Sequence, residues 1–223
     1  MKPRYLFLLF SIISMSEVVL LITGNEQWRF ITKPLIIPSL AGIYLTAVSD
    51  KKDLFKDAVL LGLLFSWIGD ILLHMDGLFV PGLISFLIAH IFYIVFLSRT
   101  KSATASFFKL RPVMLIAVMA YLIELMHLLW PFLGGMKYPV LFYGITISTM
   151  LSAALWQYQK LENKTATFLI IGALFFVTSD TILAFNKFRQ PFEMAGMYTM
   201  ATYILAQLFI VQGAIRYRNN PAI

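Results

Sequence analysis

Two aspartates stand at the ends of long uncharged runs: Asp70 closes FSWIGD, with no charge since Asp57, and Asp180 closes GALFFVTSD, with none since Lys164. A carboxylate in an apolar setting is costly to ionise and must face a partner, a cavity or water, so function is the first hypothesis for each. The competing reading, hydrogen-bonding glue between helices, is weaker because Ser, Thr or Asn would serve at lower desolvation cost. Two carboxyls in one place could divide acid–base work. One donates a proton while the other, ionised, stabilises a cation or orients water.

Other polar residues cluster around these two. His74, at i+4 from Asp70, shares its helix face. His90 lies near the middle of the next apolar run, with Tyr93 one turn further on, and is either a pocket residue or a satisfied core hydrogen-bonder. Lys33, just before Pro34, could meet a lipid phosphate, hold a neighbouring carboxylate ionised, or simply snorkel to the interface. Tyr93 and Tyr203 are deep enough for their hydroxyls to need partners. Glu17 and Glu124 are further carboxylates in apolar runs, and Glu124 with His127 at i+3 reads as a structural ion pair. His74, His90 and His127 show no metal-ligand spacing, and zero cysteines exclude a thiolate site, thiol catalysis and disulfides.

The elements that position these groups must be membrane helices. Of 223 residues, 60% are hydrophobic and 13% charged, against about 25% in soluble domains, too little charge to coat a globule. Breaks at charges, Pro and Gly leave eight runs near the roughly 20 residues needed to span hydrocarbon. They cover 5–23, 33–49, 57–75, 82–98, 113–130, 138–158, 166–186 and 194–216. The predicted fold is all-α, a polytopic bundle of eight transmembrane helices forming a single integral membrane domain over residues 1–223, with no room for a domain outside the membrane. The first run is long for a signal peptide, and no small-residue cleavage site precedes Gly24.

The net charge of +7 fits cytoplasmic loops better than nucleic-acid binding. Lys2, Arg4, Lys51, Lys52, Lys56, Arg99, Lys101, Lys109, Arg111, Lys160, Lys164, Arg216 and Arg218 fall on one side of the predicted spans; only Arg29, Lys33, Lys137, Lys187 and Arg189 fall on the other. The positive-inside rule therefore puts both termini in the cytoplasm, whether the membrane is a bacterial inner membrane or the endoplasmic reticulum. Protease confined to the non-cytoplasmic face of sealed vesicles is expected to spare a C-terminal tag; cleavage of the tag from that face would reverse the orientation.

An offset of 110 residues aligns Gly62, Leu64, Phe65, Asp70 and Leu73 with Gly172, Leu174, Phe175, Asp180 and Leu183, and Tyr93 with Tyr203. This suggests two parallel four-helix repeats, 1–110 and 111–223, related by an axis along the membrane normal. Both aspartates would then sit at one depth, roughly 8 to 9 Å from the outer helix ends at 1.5 Å per residue, and reach one cavity.

Lys33-Pro34, FSWIGD at 65–70, His90 with Tyr93, GALFFVTSD at 172–180, and Tyr203 with Gln207 together resemble the YhhN-like family of membrane lysoplasmalogenases. The resemblance spans nearly the whole chain. It implies eight spans, a lysophospholipid substrate, and hydrolysis of its vinyl ether to a fatty aldehyde and a glycerophospho-alcohol. It also implies a catalytic pair, Asp70 and Asp180, with Lys33, His74, His90, Tyr93, Tyr203 and Gln207 as substrate-binding residues. Membrane lipids are the surroundings, and no metal or organic cofactor is required.

The chemistry suits the residues. Protonation of the vinyl ether β-carbon leaves an oxocarbenium ion that water captures, a division of labour between two carboxyls like that of glycosidases. Asp70 beside His74 is expected to be the ionised partner and Asp180 the donor. A carrier is the alternative reading, because parallel repeats with polar residues at depth also describe small transporters. Gly69-Asp70 is similar to part of the GxGD motif of intramembrane aspartyl proteases, but Trp67 holds its first glycine position and Ser179 stands where that family has tyrosine.

Overall fold

The computed structural model describes residues 3–48, 57–100, 111–158 and 161–220, and these residues are helical with short connections. Eight helices follow in order: α1 (Pro3–Thr23), α2 (Glu26–Ala47), α3 (Ala58–His74), α4 (Phe79–Arg99), α5 (Arg111–Leu129), α6 (Lys137–Leu155), α7 (Asn163–Ala184) and α8 (Ala195–Asn219). Two 3₁₀ turns link α5 to α6, and a π turn, Phe185–Arg189, continues α7. Seven helices are long and apolar enough to cross a membrane, while the 17-residue α3 is shorter. The protein is thus a polytopic helical bundle. Lys2, Lys51, Lys52, Lys56, Lys101, Lys109 and Lys160, counted for orientation, lie outside the described residues.

The largest departure from the predicted spans is α2, which starts at Glu26 instead of 33 and runs through Pro34 and Pro38. Pro34 is therefore not a first-turn residue. A proline inside a helix leaves the carbonyl four residues back without its amide partner, and in an apolar medium that carbonyl needs another donor. Pro38 frees the carbonyl of Pro34, and the Trp67 indole N–H of α3 donates to it at 2.8 Å. The Lys33-Pro34 and FSWIGD segments are thereby joined by one hydrogen bond, which fixes α2 against α3.

The closest helix pairs are α3 with α4 and α7 with α8; α2 packs on α3 and α8, and α6 on α7 and α4. Side chains at 61–66 and 171–176 follow one burial order, with Gly62 and Gly172 buried and Leu64 and Leu174 both exposed. The two glycines permit tight crossings, as small residues do between membrane helices. A methyl group on Gly62 would collide with the Tyr93 ring, and one on Gly172 would stand 2.8 Å from the Ile210 amide nitrogen and 3.0 Å from the Ala206 carbonyl oxygen. Asp70 and Asp180 each lie four residues before the last residue of α3 and α7.

The end of the bundle nearest the N-terminus is closed by a polar clamp. Asp57 caps α3 through the Val59 amide at 2.9 Å, accepts the Tyr44 hydroxyl at 2.8 Å and pairs with Arg218, joining α2, α3 and α8. The opposite end, by contrast, is hollow.

Because backbone atoms of α8 face Gly172, Gly172→Ala must push the two helices apart. The expected loss is about 1 to 3 kcal/mol, read as an earlier unfolding midpoint in detergent. Gly135→Ala, with no atom within 4 Å of the added methyl, should stay within about 0.5 kcal/mol of wild type.

Candidate functional site

The hollow end holds a cavity of about 270 Å³ between α2, α3, α4, α7 and α8. Asp70 and Asp180 both line it, as do the cations Arg29, Lys33 and Lys187. The two carboxyls that the sequence places at one depth therefore share one space.

Each aspartate is held by a tyrosine from another helix. The Tyr203 hydroxyl of α8 donates to Asp70 Oδ2 at 2.7 Å, and the Tyr143 hydroxyl of α6 donates to Asp180 Oδ2 at 2.6 Å. Such donors offset the desolvation of a carboxyl removed from water. Behind Tyr203 the chain of hydrogen bonds continues: the Gln207 amide nitrogen donates to the Tyr203 oxygen at 3.4 Å, and the Tyr93 hydroxyl donates to Gln207 Oε1 at 2.7 Å. His90 stands behind Asp180, with Nε2 3.8 Å from Oδ2, and neither of its ring nitrogens makes a hydrogen bond to the described residues.

Aromatic rings form the floor that keeps these groups in place. Phe176 meets the rings of His90, Tyr93 and Tyr203, and Phe86 meets Tyr203 edge to face. Phe86 can reach Tyr203 because it packs on Gly69: a methyl there would fall 2.6 Å from its ring. The glycine preceding Asp70 thus acts on that carboxyl through Phe86 and Tyr203.

Lys33 and Tyr203 line the cavity, whereas His74, His90, Tyr93 and Gln207 do not. His90, Tyr93 and Gln207 form the layer behind the carboxyls, and His74 packs its ring on Phe30 at the rim. The charge lining the cavity that acts electrostatically on Asp70 is Lys33, with Glu17 acting on it in the opposite sense. Lys33 is 8% exposed and makes no hydrogen bond or ion pair with a described residue. Arg29, by contrast, is clamped by Glu17, which is fully buried and 3.0 Å away, and by Glu26; Thr32 also donates to Glu17. Glu124 and His127 are exposed on α5, and no ion pair joins them.

Arg29, Tyr143, Asn186 and Lys187 were not among the sequence-derived site residues. Arg29 and Lys187 looked like loop charges. Tyr143 had a signal, since it falls on Lys33 at the 110-residue offset that aligns the aspartates.

Fold and cavity together define a class: a polytopic membrane helix bundle with two carboxyls and three cations, of which Lys33 is buried, around one cavity. Residues 28–214 match the model of the YhhN family, and the chain belongs to that family. It is similar to lysoplasmalogenase TMEM86A of Homo sapiens, 34% identical over 175 residues covering 72% of this chain and 66% of the relative. Lysoplasmalogenase TMEM86B of Homo sapiens is 33% identical over 158 residues, covering 69% and 62%. Lysoplasmalogenase TMEM86B of Mus musculus is 31% identical over 163 residues, covering 72% and 63%. The chain spans just under two thirds of the length of these relatives. No solved structure matches it.

Glu17→Gln leaves the Arg29 guanidinium without its buried counter-charge and should cost about 3 to 5 kcal/mol, whereas Glu17→Gln with Arg29→Leu should recover much of that loss. Denaturant unfolding of the single and double variants in micelles measures the coupling.

Proposed function

We propose that this protein is a hydrolase of lysoplasmalogen-like lysophospholipids, cleaving the vinyl ether to a fatty aldehyde and a glycerophospho-alcohol. The observation that carries the reading is the single cavity lined by both Asp70 and Asp180, with cations beside them. Membership of the YhhN family and the names of the relatives supply the substrate class.

In this mechanism Asp180 is the acid. It has a neutral phenol and a histidine for neighbours, while Asp70 has the Lys33 ammonium. A cation favours the ionised form of a carboxyl and a neutral donor favours it less, so Lys33 takes the part that the sequence reading gave to His74. Asp180 donates its proton to the β-carbon of the vinyl ether, and the adjacent carbon becomes the oxocarbenium centre, stabilised by the Asp70 carboxylate. Water adds to that carbon and gives a proton to Asp70. The resulting hemiacetal breaks its bond to the glycerol oxygen, which takes the proton from Asp70, while the hemiacetal hydroxyl returns a proton to Asp180. One water is consumed and both carboxyls end as they began. Lys33, with Arg29 and Lys187 beside it, meets the phosphate.

We also propose that the site arose within two parallel repeats, in which Lys33 and Tyr143 are counterparts that came to hold their aspartates differently. The shared burial order of 61–66 and 171–176 supports this. The outward-facing orientation of the cavity is part of the same proposal.

The test is to give purified protein a 1-alkenyl lysophospholipid and its 1-acyl analogue and to quantify aldehyde and fatty acid by mass spectrometry. Aldehyde is expected from the alkenyl lipid. Asp70→Asn and Asp180→Asn should each lower that rate by roughly 10²- to 10⁴-fold with unfolding midpoints retained. Lys33→Gln should both raise KM, through the lost phosphate contact, and lower kcat, through the Asp70 carboxylate that it no longer faces. Well-folded protein that releases no aldehyde would sink the proposal.

A further inference from the structure

The cavity of about 270 Å³ is at the small end of ligand sites, so a long hydrocarbon chain has to lie elsewhere. A second space of about 40 Å³ adjoins it, walled by Phe79 and Leu83 of α4, Val140 of α6, and Leu183, Ala184 and Phe188 at the end of α7. Asp180, Phe79 and Leu183 line both spaces, so the two meet at Asp180. Apart from the Asp180 carboxyl and Tyr143, this neck is hydrocarbon.

The neck leads to an apolar cluster separate from the main core. Leu122, Met126, Leu129, Leu133 and Val140 form it, and Ala184 and Phe188 pack against it. Val140, Ala184 and Phe188 thus belong to both neck and cluster. Among the described helices α5 packs mainly on α6, the adjoining 3₁₀ turn and the π turn after α7, and the Tyr121 hydroxyl ties it to Thr181 of α7. Methionine adapts its shape to a variable apolar partner, and Met126 faces this seam.

From this continuity we infer that the hydrocarbon chain of the substrate leaves the cavity through the neck beside Asp180 and lies in the seam between α5 and α6. The inference rests on reading the cavity as a lyso-lipid site. With the headgroup at Lys33 and the chain in the neck, the bond joining them crosses the cavity with its first chain carbons next to Asp180. Asp70 then faces the glycerol side. A single narrow neck also accepts one chain, so lipids with two chains are excluded by shape.

The test uses a 1-alkyl lysophospholipid, whose saturated ether cannot be cleaved by this route, carrying a diazirine in mid-chain. It is photolysed with the full-length protein in nanodiscs, and the adducts are mapped by peptide mass spectrometry. The expected adducts concentrate on Leu122, Met126, Val140, Ala184 and Phe188, and excess unlabelled alkyl lysophospholipid should suppress them. Adducts on α1 and α2, or spread over all lipid-facing helices and not competed, would overturn the inference. As a second readout, Ala184→Phe narrows the neck and should lower the ratio of long-chain to short-chain turnover by about tenfold or more. A ratio equal to that of wild type would count against the path. Competed adducts at the neck without aldehyde from any vinyl ether would leave the path standing and remove the hydrolase reading. Aldehyde release with adducts elsewhere would remove the path alone.

Discussion

The hydrogen bonds from Tyr203 to Asp70 and from Tyr143 to Asp180 are the contacts on which the rest of the bundle turns. A carboxyl in hydrocarbon cannot be left without partners, and here the donors come from other helices, the distant α8 for Asp70 and the preceding α6 for Asp180. Tyr203 must cross from α8 to α3, which requires Phe86 and Phe176 to brace it and Gly69 to admit Phe86. The tight α3–α4 and α7–α8 crossings at Gly62 and Gly172 bring those rings close enough. Packing and polarity are thus linked: the rings that brace Tyr203 come from α4 and α7, so both crossings bear on the Tyr203–Asp70 contact.

The two carboxyls have chemically different neighbours. On the α3 side, α2 presents Lys33 and α8 presents Tyr203; on the α7 side, α6 presents Tyr143 and α4 presents His90. Under the proposed repeat, Lys33 and Tyr143 occupy the same position. A cation thus faces one carboxyl and a phenol the other, on the same helical scaffold.

Much of this was legible in the chain. The all-helical bundle followed from composition and run length, because lipid-facing surface removes the need for charge. The aspartates stood out because charge is so rare around them. Run counting misplaced the start of α2, since Pro34 and Pro38 look like helix breakers until the Trp67 indole is seen to satisfy the Pro34 carbonyl. His74 looked like the neighbour of Asp70 because i+4 spacing shares a helix face, yet its ring turns outward to Phe30. Arg29 could not be recognised as a cavity wall, because the Glu17 that holds it there belongs to a different helix. Spacing along one helix was readable; contacts between helices were not.

The mouth of the cavity shows how a local change in helix geometry builds a site. At the 110-residue offset the short turn 75–78 between α3 and α4 corresponds to 185–188, and the first turns of α4 correspond to 189–194. In the second half the chain does not turn back at once. The α7 helix runs on into a π turn that ends at Arg189, and residues 190–194 are non-helical before α8 starts at Ala195. A π turn rotates the side chains beyond it relative to an α-helix, and such insertions recur at functional sites. Here it sets Asn186 and Lys187 on the polar cavity and Phe188 on the apolar neck, with Lys187 over the Phe79 ring at 4.8 Å. Had α7 ended as α3 does, that wall would be missing, and the cavity would face the bilayer with neither a third cation nor an apolar lip. The π turn is therefore what sets a polar wall and an apolar one side by side at the mouth of the cavity.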